Sequence, residues 1–480
     1  MAKNYFYNLL LTVTNLLFPL LSFPYVSRIL GPEGIGKVQF VFSFAQYFAL
    51  IASFGIPVYG MKEIAKYKND KEGRSQVFSE LIIIYLLSTV CLFLVYLSVI
   101  LVFPYFSADK GMYWGASLLV LLGFSYIDWV YTGLEEFKSI ALRSVLFKII
   151  GLLLLYFFVK SKGDFQNYLF IMIFSFLGNN ILSFFFLKGK VSIILSKLQL
   201  KRHLVPLFYI LGTSLAASMY TDMDTVLLGF LSDSRTVGLY TAAVKLSKIT
   251  LPFVTSMGVI LVPKISMYFA EKKMEEVQHT LNQAFRFLVF FAVPITLGLA
   301  LLAPEFISLF SGDEFLPATN SMRLLSLLPS IIGLGHFFLY LVLIPAGKNR
   351  EMFFCVLGGL TVSLLLNIIL IPLFKAEGSS IANIVSEIIV TLLYIYFIKK
   401  YFKFSYDWSL FFKALVSCLI FVPVIWFSRS LSYDLIYTIM LSIIGCSLTY
   451  ILLQLLVFKN NFITEIWIFV KIKAGIKNTL

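Results

Sequence analysis

The sequence predicts an all-α polytopic membrane protein, with about 14 transmembrane helices in two pseudo-symmetric six-helix lobes plus two C-terminal helices. Three observations predict the class. Hydrophobic residues make up 59% of the 480 and charged residues only 13%, where a soluble domain sits near half apolar and a quarter charged; mean hydropathy is +0.90. Uncharged apolar runs of about twenty residues recur along the chain, the cleanest being 81–102 (LIIIYLLSTVCLFLVYLSVILV). At 1.5 Å per residue such a run covers roughly 33 Å as a helix, a full hydrocarbon core. No run alternates with period two, which argues against a membrane-spanning β-barrel.

Taken in order, the expected helices are 8–27, 38–59, 78–103, 112–132, 144–160, 168–187, 204–229, 240–263, 284–303, 322–345, 352–373, 379–398, 410–427 and 435–458. The first resembles a signal peptide but lacks a small-residue cleavage pattern and is followed at once by further spans, so it reads as a retained helix. Pro19 and Pro24 should kink it, each removing a backbone donor. The longest outer connection, 304–321, leaves no room for an extramembrane domain. The tail 461–480 alternates Ile463, Ile466, Trp467, Phe469 and Val470 with lysines, as an amphipathic helix on the inner leaflet would. Lobe boundaries are expected at 1–203 and 204–400, with 401–480 holding the last two helices and the tail.

Orientation follows from Lys and Arg. With the N-terminus inside, cytoplasmic segments carry twenty-five of them and outer segments eight. Positive residues favour the cytoplasmic side, so both termini are placed there. The same bias explains much of the +14 net charge and removes the case for a nucleic-acid partner.

A weak internal repeat supports two lobes. Helix 1 ends in Leu30-Gly31 and its loop closes on Gly36; helix 7 ends in Leu228-Gly229 and its loop closes on Gly238. Six spans apart, YTGLEEFK (131–138) and IPAGKNRE (344–351) align Gly133 with Gly347. Repeats of this kind are the signature of carriers that rock two bundles about a site.

Charge inside a span is where chemistry is expected, since each central Asp, Lys or Arg costs roughly 2.5–3.5 kcal/mol on insertion scales. Lys245 and Lys248, three apart on helix 8, share a face with Thr241 one turn earlier. Two ammonium groups so placed suit a pyrophosphate, or alternatively pair with Asp222. Asp222 and Asp224 are two apart and point to different sides of helix 7. Asp128 and Lys148 fall in the inner halves of helices 4 and 5, either as a structural ion pair or with Asp128 as a proton or sodium coupling site and Lys148 as its competitor. Tyr126, Trp129 and Tyr131 are interface anchors or sugar-stacking groups. Arg28 ends helix 1, snorkelling to headgroups or guarding a cavity mouth. Arg286 reads as a snorkelling residue, and His336 and Glu387 as satisfied polar groups between helices. The four cysteines, Cys91, Cys355, Cys418 and Cys446, lie in apolar runs and read as buried small hydrophobes. No P-loop and no H-E-x-x-H motif occurs, so no cofactor or metal is expected. Transport would be driven by H+ or Na+ gradients, the membrane potential or the cargo's own gradient.

The opening NLLLTVTNLLFPLLSFPYVSRILGPEGIGKVQFVFSF, the basic loop after helix 2 and GFSYIDWVYTGLEEFKSIALRSVLFKII (123–150) resemble bacterial polysaccharide flippases of the Wzx type. These belong to the multidrug/oligosaccharidyl-lipid/polysaccharide exporter superfamily. The resemblance implies an inward- or outward-open V and a cationic central cavity. It also implies a cargo of oligosaccharide on undecaprenyl pyrophosphate, flipped from inner to outer leaflet for O-antigen or capsule synthesis. Partners would be that lipid-linked oligosaccharide, membrane lipids, and the polysaccharide polymerase and chain-length machinery. Two other functions are weighed: a multidrug cation antiporter, which wants a carboxylate-dominated cavity, and a membrane polymerase or ligase, which wants a large outer loop bearing catalytic groups.

Overall fold

The computed structural model describes residues 2–196, 198–431 and 434–459; the tail expected to lie on the inner leaflet falls outside them. Among the described residues regular structure is helical throughout. The first ten helices are α1 (Ala2–Ala52), α2 (Ile56–Lys66), α3 (Lys71–Val102), α4 (Lys110–Leu121), α5 (Asp128–Gly133), α6 (Phe137–Phe158), α7 (Phe165–Phe185), α8 (Lys201–Asp222), α9 (Asp224–Leu231) and α10 (Ser234–Ile249). The remainder are α11 (Leu251–Ala270), α12 (Met274–Leu301), α13 (Ala303–Ser311), α14 (Thr319–Leu325), α15 (Leu328–Phe338), α16 (Asn349–Tyr401), α17 (Ser409–Cys418), α18 (Phe421–Ser430) and α19 (Leu435–Leu456).

Eleven helices among the described residues are long and apolar enough to cross a membrane, or twelve if α4 and α5, bent by 42°, form one span. The expected fourteen do not map one to one onto these, because two helices each absorb two expected spans. α1 has 51 residues and α16 has 53, roughly 75–80 Å of helix against a core of about 30 Å. Each contains one non-helical residue: Gly31 (φ 67°) in α1 and Lys375 (φ 50°) in α16. In α16 the Ser379 hydroxyl donates to Asn367 Oδ1 at 2.9 Å. Twelve residues along a straight helix would stand about 18 Å apart, so the chain doubles back at Lys375. α1 bends likewise, since Asn15 and Phe42 line one cavity. The reversal falls at Gly31, where the sequence ends helix 1. Backbone dihedrals stay helical through both prolines, while glycine, having no Cβ, accepts the left-handed conformation.

The chain forms two compact units, Met1–Thr241 and Ala242–Leu480, dividing inside α10. α8 and α9, given by the sequence to the second lobe, pack in the first unit, α8 on α2 and α9 on α1. In that unit α1 also packs on α3, α4, α6 and α7. In the second unit α12 packs on α11, α15 and α17, while α16 packs on α14 and α15. Arg429 grips Glu305 with two hydrogen bonds, at 2.6 and 3.0 Å, fixing α18 to α13. Cys355, Cys418 and Cys446 are buried as expected, but Cys91 is exposed on α3.

The segment between α7 and α8 is strapped onto α3. Ser192 and Ile194 donate their backbone N–H groups to Ser75 Oγ (3.0 Å) and Ser79 Oγ (2.8 Å), and Arg74 Nε donates to the Lys190 carbonyl at 2.7 Å. Glu80, with no exposed surface, accepts from Gln199 N (2.8 Å), Gln76 Nε2 (2.8 Å), Arg202 Nη2 (2.6 Å) and Nε (3.0 Å), and bonds His203 Nε2 at 2.7 Å. His203 Nδ1 in turn meets the Tyr59 hydroxyl at 2.9 Å. Replacing Glu80 with Ala should free this strap without unfolding the bundle. Tryptic cleavage after Lys188 or Lys190 of the purified protein is expected to accelerate severalfold relative to wild type.

The two glycine-ended turns matched in the sequence meet each other within the first unit. A Cβ on Gly36 would lie 1.6 Å from the Ser234 carbonyl oxygen, and one on Gly238 would lie 1.9 Å from that of Pro32. Backbone, not a flexible side chain, occupies both spaces. Gly36→Val should therefore destabilise the protein by more than about 2 kcal/mol, seen as a lower Tm. Gly111→Ala, where a Cβ meets nothing within 4 Å, should be neutral or slightly stabilising.

Candidate functional site

Two polar cavities lie in the first unit, and both follow from where α1 bends and where α4 gives way to α5. The first, about 470 Å³, is lined on α1 by Gln39, Ser43, Gln46 and Tyr47, and elsewhere by Tyr85, Tyr126, Ser218, Asp222 and Thr225. The Tyr47 hydroxyl donates to the Ser218 carbonyl at 3.1 Å. The second, about 620 Å³, is lined by Asn8, Asn15 and Phe18 of α1, Tyr126 and Asp128 near the start of α5, Ser144, Phe147 and Lys148 of α6, and Ser175, Phe176 and Asn179 of α7. Tyr126 and Phe176 belong to both walls. Ser175 Oγ and Asn179 Oδ1, both on the second wall, are buried with no protein hydrogen-bond partner.

The structure corrects one expected pair. Asp128 does not bridge to Lys148. It is held by Arg143, whose Nη2 lies 2.9 Å from Asp128 Oδ1, the two side chains being only 3% and 13% exposed. Arg143 Nε also donates to the Ser139 carbonyl at 3.0 Å, and the guanidinium stacks 4.7 Å from the Tyr131 ring centre. The Lys148 ammonium instead donates to Asn15 Oδ1. The reason is helical position: Arg143 lies a turn nearer the start of α6, level with the first turn of α5 that carries Asp128.

The aromatic residues around Asp128 separate by role. Trp129 is buried and stacks on Phe78 at 5.9 Å, and buried Tyr131 donates its hydroxyl to the Ser183 carbonyl. Neither is an interface anchor or a sugar platform, whereas Tyr126 faces both cavities. Asp222 and Asp224 do point apart. Asp222 is exposed on the first cavity wall and accepts from Thr221 at 3.0 Å. Asp224 is buried and accepts a 2.6 Å hydrogen bond from the Tyr240 hydroxyl.

Lys245 and Lys248 are half-buried on α10, and neither lines these two cavities. Thr241 is buried and turns its hydroxyl onto the Val237 carbonyl at 2.7 Å. Arg28 is exposed and donates from Nη1 to the Pro24 carbonyl at 3.0 Å, on its own helix. Three ionic residues escaped sequence reasoning. Arg143 counts in the sequence only as one of the cytoplasmic cations; Glu80 and His203 drew no notice. A signal did exist for Glu80: Ser75, Ser79 and Gln76 put small polar groups one turn before it on a helix otherwise bound for lipid. Nearby loops are tied by Glu136–Lys190 and by Lys68–Glu135 at 2.9 Å. The hydrogen bond from Lys68 holds the Glu135 carboxyl below its usual range.

A lipid-dissolved helical chain with solvent-sized polar cavities inside it has the build of a membrane carrier. The model of the family "Polysaccharide biosynthesis protein" matches residues 1–269, and the chain belongs to that family; a second family model, MatE, matches 210–373. A "Putative O-antigen transporter" of Shigella dysenteriae is 26% identical over 82% of this chain and 98% of its own length. Another so described, from Escherichia coli K12, is 24% identical over 83% and 97%. Among solved structures, the lipid II flippase MurJ in an inward closed conformation superposes with TM-score 0.76 at 16% identity, over 96% of this chain and 99% of that one. An inward-facing multidrug resistance MATE transporter gives TM-score 0.61 at 15% identity, over 81% and 94%.

The buried Asp128–Arg143 pair makes a sharp prediction. Arg143→Leu alone should cost about 3–5 kcal/mol by stranding a carboxylate, whereas Arg143→Leu with Asp128→Leu should recover most of that loss. Thermal unfolding of the detergent-purified variants measures both.

Proposed function

We propose that this chain flips lipid-linked oligosaccharide repeat units from the inner to the outer leaflet of a bacterial cytoplasmic membrane, by alternating access, for O-antigen or capsule synthesis. The observation that carries this reading is the pair of cavities bearing amides and hydroxyls inside a bundle of the polysaccharide biosynthesis family. The physical problem is the head group. A polyprenyl tail stays in lipid, but sugars and a pyrophosphate cannot cross hydrocarbon unaided. Gln39, Ser43, Gln46, Asn8 and Asn15 supply donors and acceptors that replace water around hydroxyl groups.

On this reading Lys245 and Lys248 hold the pyrophosphate, with Thr241 and Arg28 beside its path. Moving about two negative charges outward across roughly 100 mV gains on the order of 4–5 kcal/mol. Return of H+ or Na+ resets the carrier. Of the coupling candidates, Asp222 lies exposed on the wall of the first cavity, Asp128 and Lys148 lie on that of the second, and Asp224 is buried against Tyr240. The chain carries its cargo rather than converting it. The polymerase and chain-length machinery act on what it delivers, and both of its termini face the cytoplasm.

Proteoliposomes loaded with a fluorescent undecaprenyl-pyrophosphate oligosaccharide test the proposal directly. Wild-type protein should move the label between leaflets. Lys245→Gln with Lys248→Gln should lower that rate at least about tenfold, the loss of roughly one charge-assisted hydrogen bond. Unchanged transfer would remove the lysines from the pathway. Resistance of cells to organic cations on overexpression would instead favour the multidrug antiporter.

A further inference from the structure

α16 doubles back at Lys375, so its two ends come to the same membrane face. The ends touch. The Tyr401 hydroxyl donates to Glu351 Oε1 at 2.6 Å across 50 residues of chain, and the Lys348 ammonium lies 3.6 Å from the Tyr401 ring centre. The hairpin thereby gathers two basic clusters that the sequence holds far apart: Lys348 and Arg350 from one end, and Lys399, Lys400 and Lys403 from the other. Lys400 lies 5.8 Å from the same tyrosine ring, so two ammonium groups share one aromatic face region, and Arg350 stands 5.6 Å from the ring of Phe354.

Little nearby charge compensates them. Among the described residues none of the five cations forms an ion pair. Glu351, in the first turn of α16, is engaged by Tyr401, and Asp407 accepts from Ser409 N and Oγ at 3.0 and 2.6 Å at the start of α17. Like charges brought together in this way repel unless an anion sits among them. The surroundings select the kind of anion. Arg350, Lys399, Lys400 and Tyr401 are exposed, and so are Phe353, Phe354 and Tyr396, one turn further along the two arms of the hairpin. Cations at the end of a span with bare aromatic rings a turn deeper match the level where headgroups give way to acyl chains. A soluble phosphate meets the cations and leaves the rings bare; a phospholipid covers both.

We propose that the joined ends of α16 bind an anionic phospholipid of the inner leaflet. Its phosphate sits among Lys348, Arg350 and Lys400, and its acyl chains run along Phe353, Phe354 and Tyr396. Lys399 and Lys403 add to the field that draws it in, as basic clusters at the inner ends of spans do. The site belongs to the second unit and is built from one hairpin. It does not depend on what the two cavities of the first unit carry.

Titration of the detergent-purified, full-length protein with short-chain phosphatidylglycerol tests it, with phosphatidylcholine of the same chains and glycerol 3-phosphate as comparisons. Phosphatidylglycerol should bind at least about tenfold tighter than either. Lys348→Gln with Lys400→Gln should abolish the preference over phosphatidylcholine. Lys62→Gln with Lys71→Gln removes the same charge from exposed positions in the first unit and should leave the preference within about twofold, because separated surface charges are screened. Glu351→Gln keeps an acceptor for Tyr401 but takes away the negative charge. It should tighten phosphatidylglycerol binding about threefold, a gain that a damaged fold does not produce. Equal binding of the two lipids overturns the site. So does glycerol 3-phosphate binding as tightly as phosphatidylglycerol, which would make it a site for soluble anions. A loss in the Lys62 and Lys71 variant as large as in the Lys348 and Lys400 variant overturns it as well, reducing the preference to the general positive charge of that face.

Discussion

Hydrocarbon offers no water to a stranded polar group, so a helix bundle that encloses charge must provide every counter-charge and hydrogen bond itself. In the first unit two carboxylates show how far this governs the fold. Glu80, wholly buried, gathers donors from Gln76 one turn before it and from Gln199, Arg202 and His203 at the start of α8. Removing any donor leaves a charge in a medium that cannot screen it. The segment between α7 and α8 is accordingly not a slack connection but part of the packing of α3. Asp128 plays the same part for α5 and α6 through Arg143.

Neutralisation by these pairs determines what the cavities present. With Asp128 balanced, the second cavity shows amides, hydroxyls and one ammonium among apolar side chains such as Leu11, Phe18, Phe42, Phe147 and Met172; the first shows amides, hydroxyls and the carboxylate of Asp222. Tyr126 and Phe176, shared by both walls, mark where the two compartments adjoin. Amides and hydroxyls suit carbohydrate, whose hydroxyls need many weak partners, and the aromatic side chains beside them suit the apolar faces of sugar rings.

Much of this was readable in the sequence, for physical reasons that differ by residue. Apolar runs of full bilayer length announce helices whatever their packing, so the class and most helix positions followed from 81–102 and its counterparts. Asp128 and Lys148 were recognisable as candidates because charge in a span is rare. Their partners were not, because pairing depends on which turns of α5 and α6 come level, and sequence gives spacing along one helix only. Arg143 sits close enough to a helix start to read as a loop cation, and Glu80, inside the expected helix 78–103, went unremarked. The reversal in α1 was legible as the glycine-ended turn at Leu30-Gly31, since reversal needs a left-handed residue and glycine supplies one cheaply. The fold-back in α16 was legible as the gap between the apolar runs 352–373 and 379–398, but its pivot was not, Lys375 being a non-glycine residue at positive φ.

The two glycine-ended turns fix the start of α10 within the first unit. Gly238 lies against the Pro32 carbonyl so closely that no side chain fits, and Gly36 stands in the same relation to Ser234. The start of α10 is thereby registered against the bend of α1 by backbone contact, which is far less forgiving than side-chain packing. From Gly238 the spacing three, four, three leads to Thr241, Lys245 and Lys248, a single stripe along one helix face. Thr241 spends its hydroxyl on its own backbone and so adds no competing donor to that stripe. The start of α10 is therefore placed in the first unit by a pair of residues that bear no side chain.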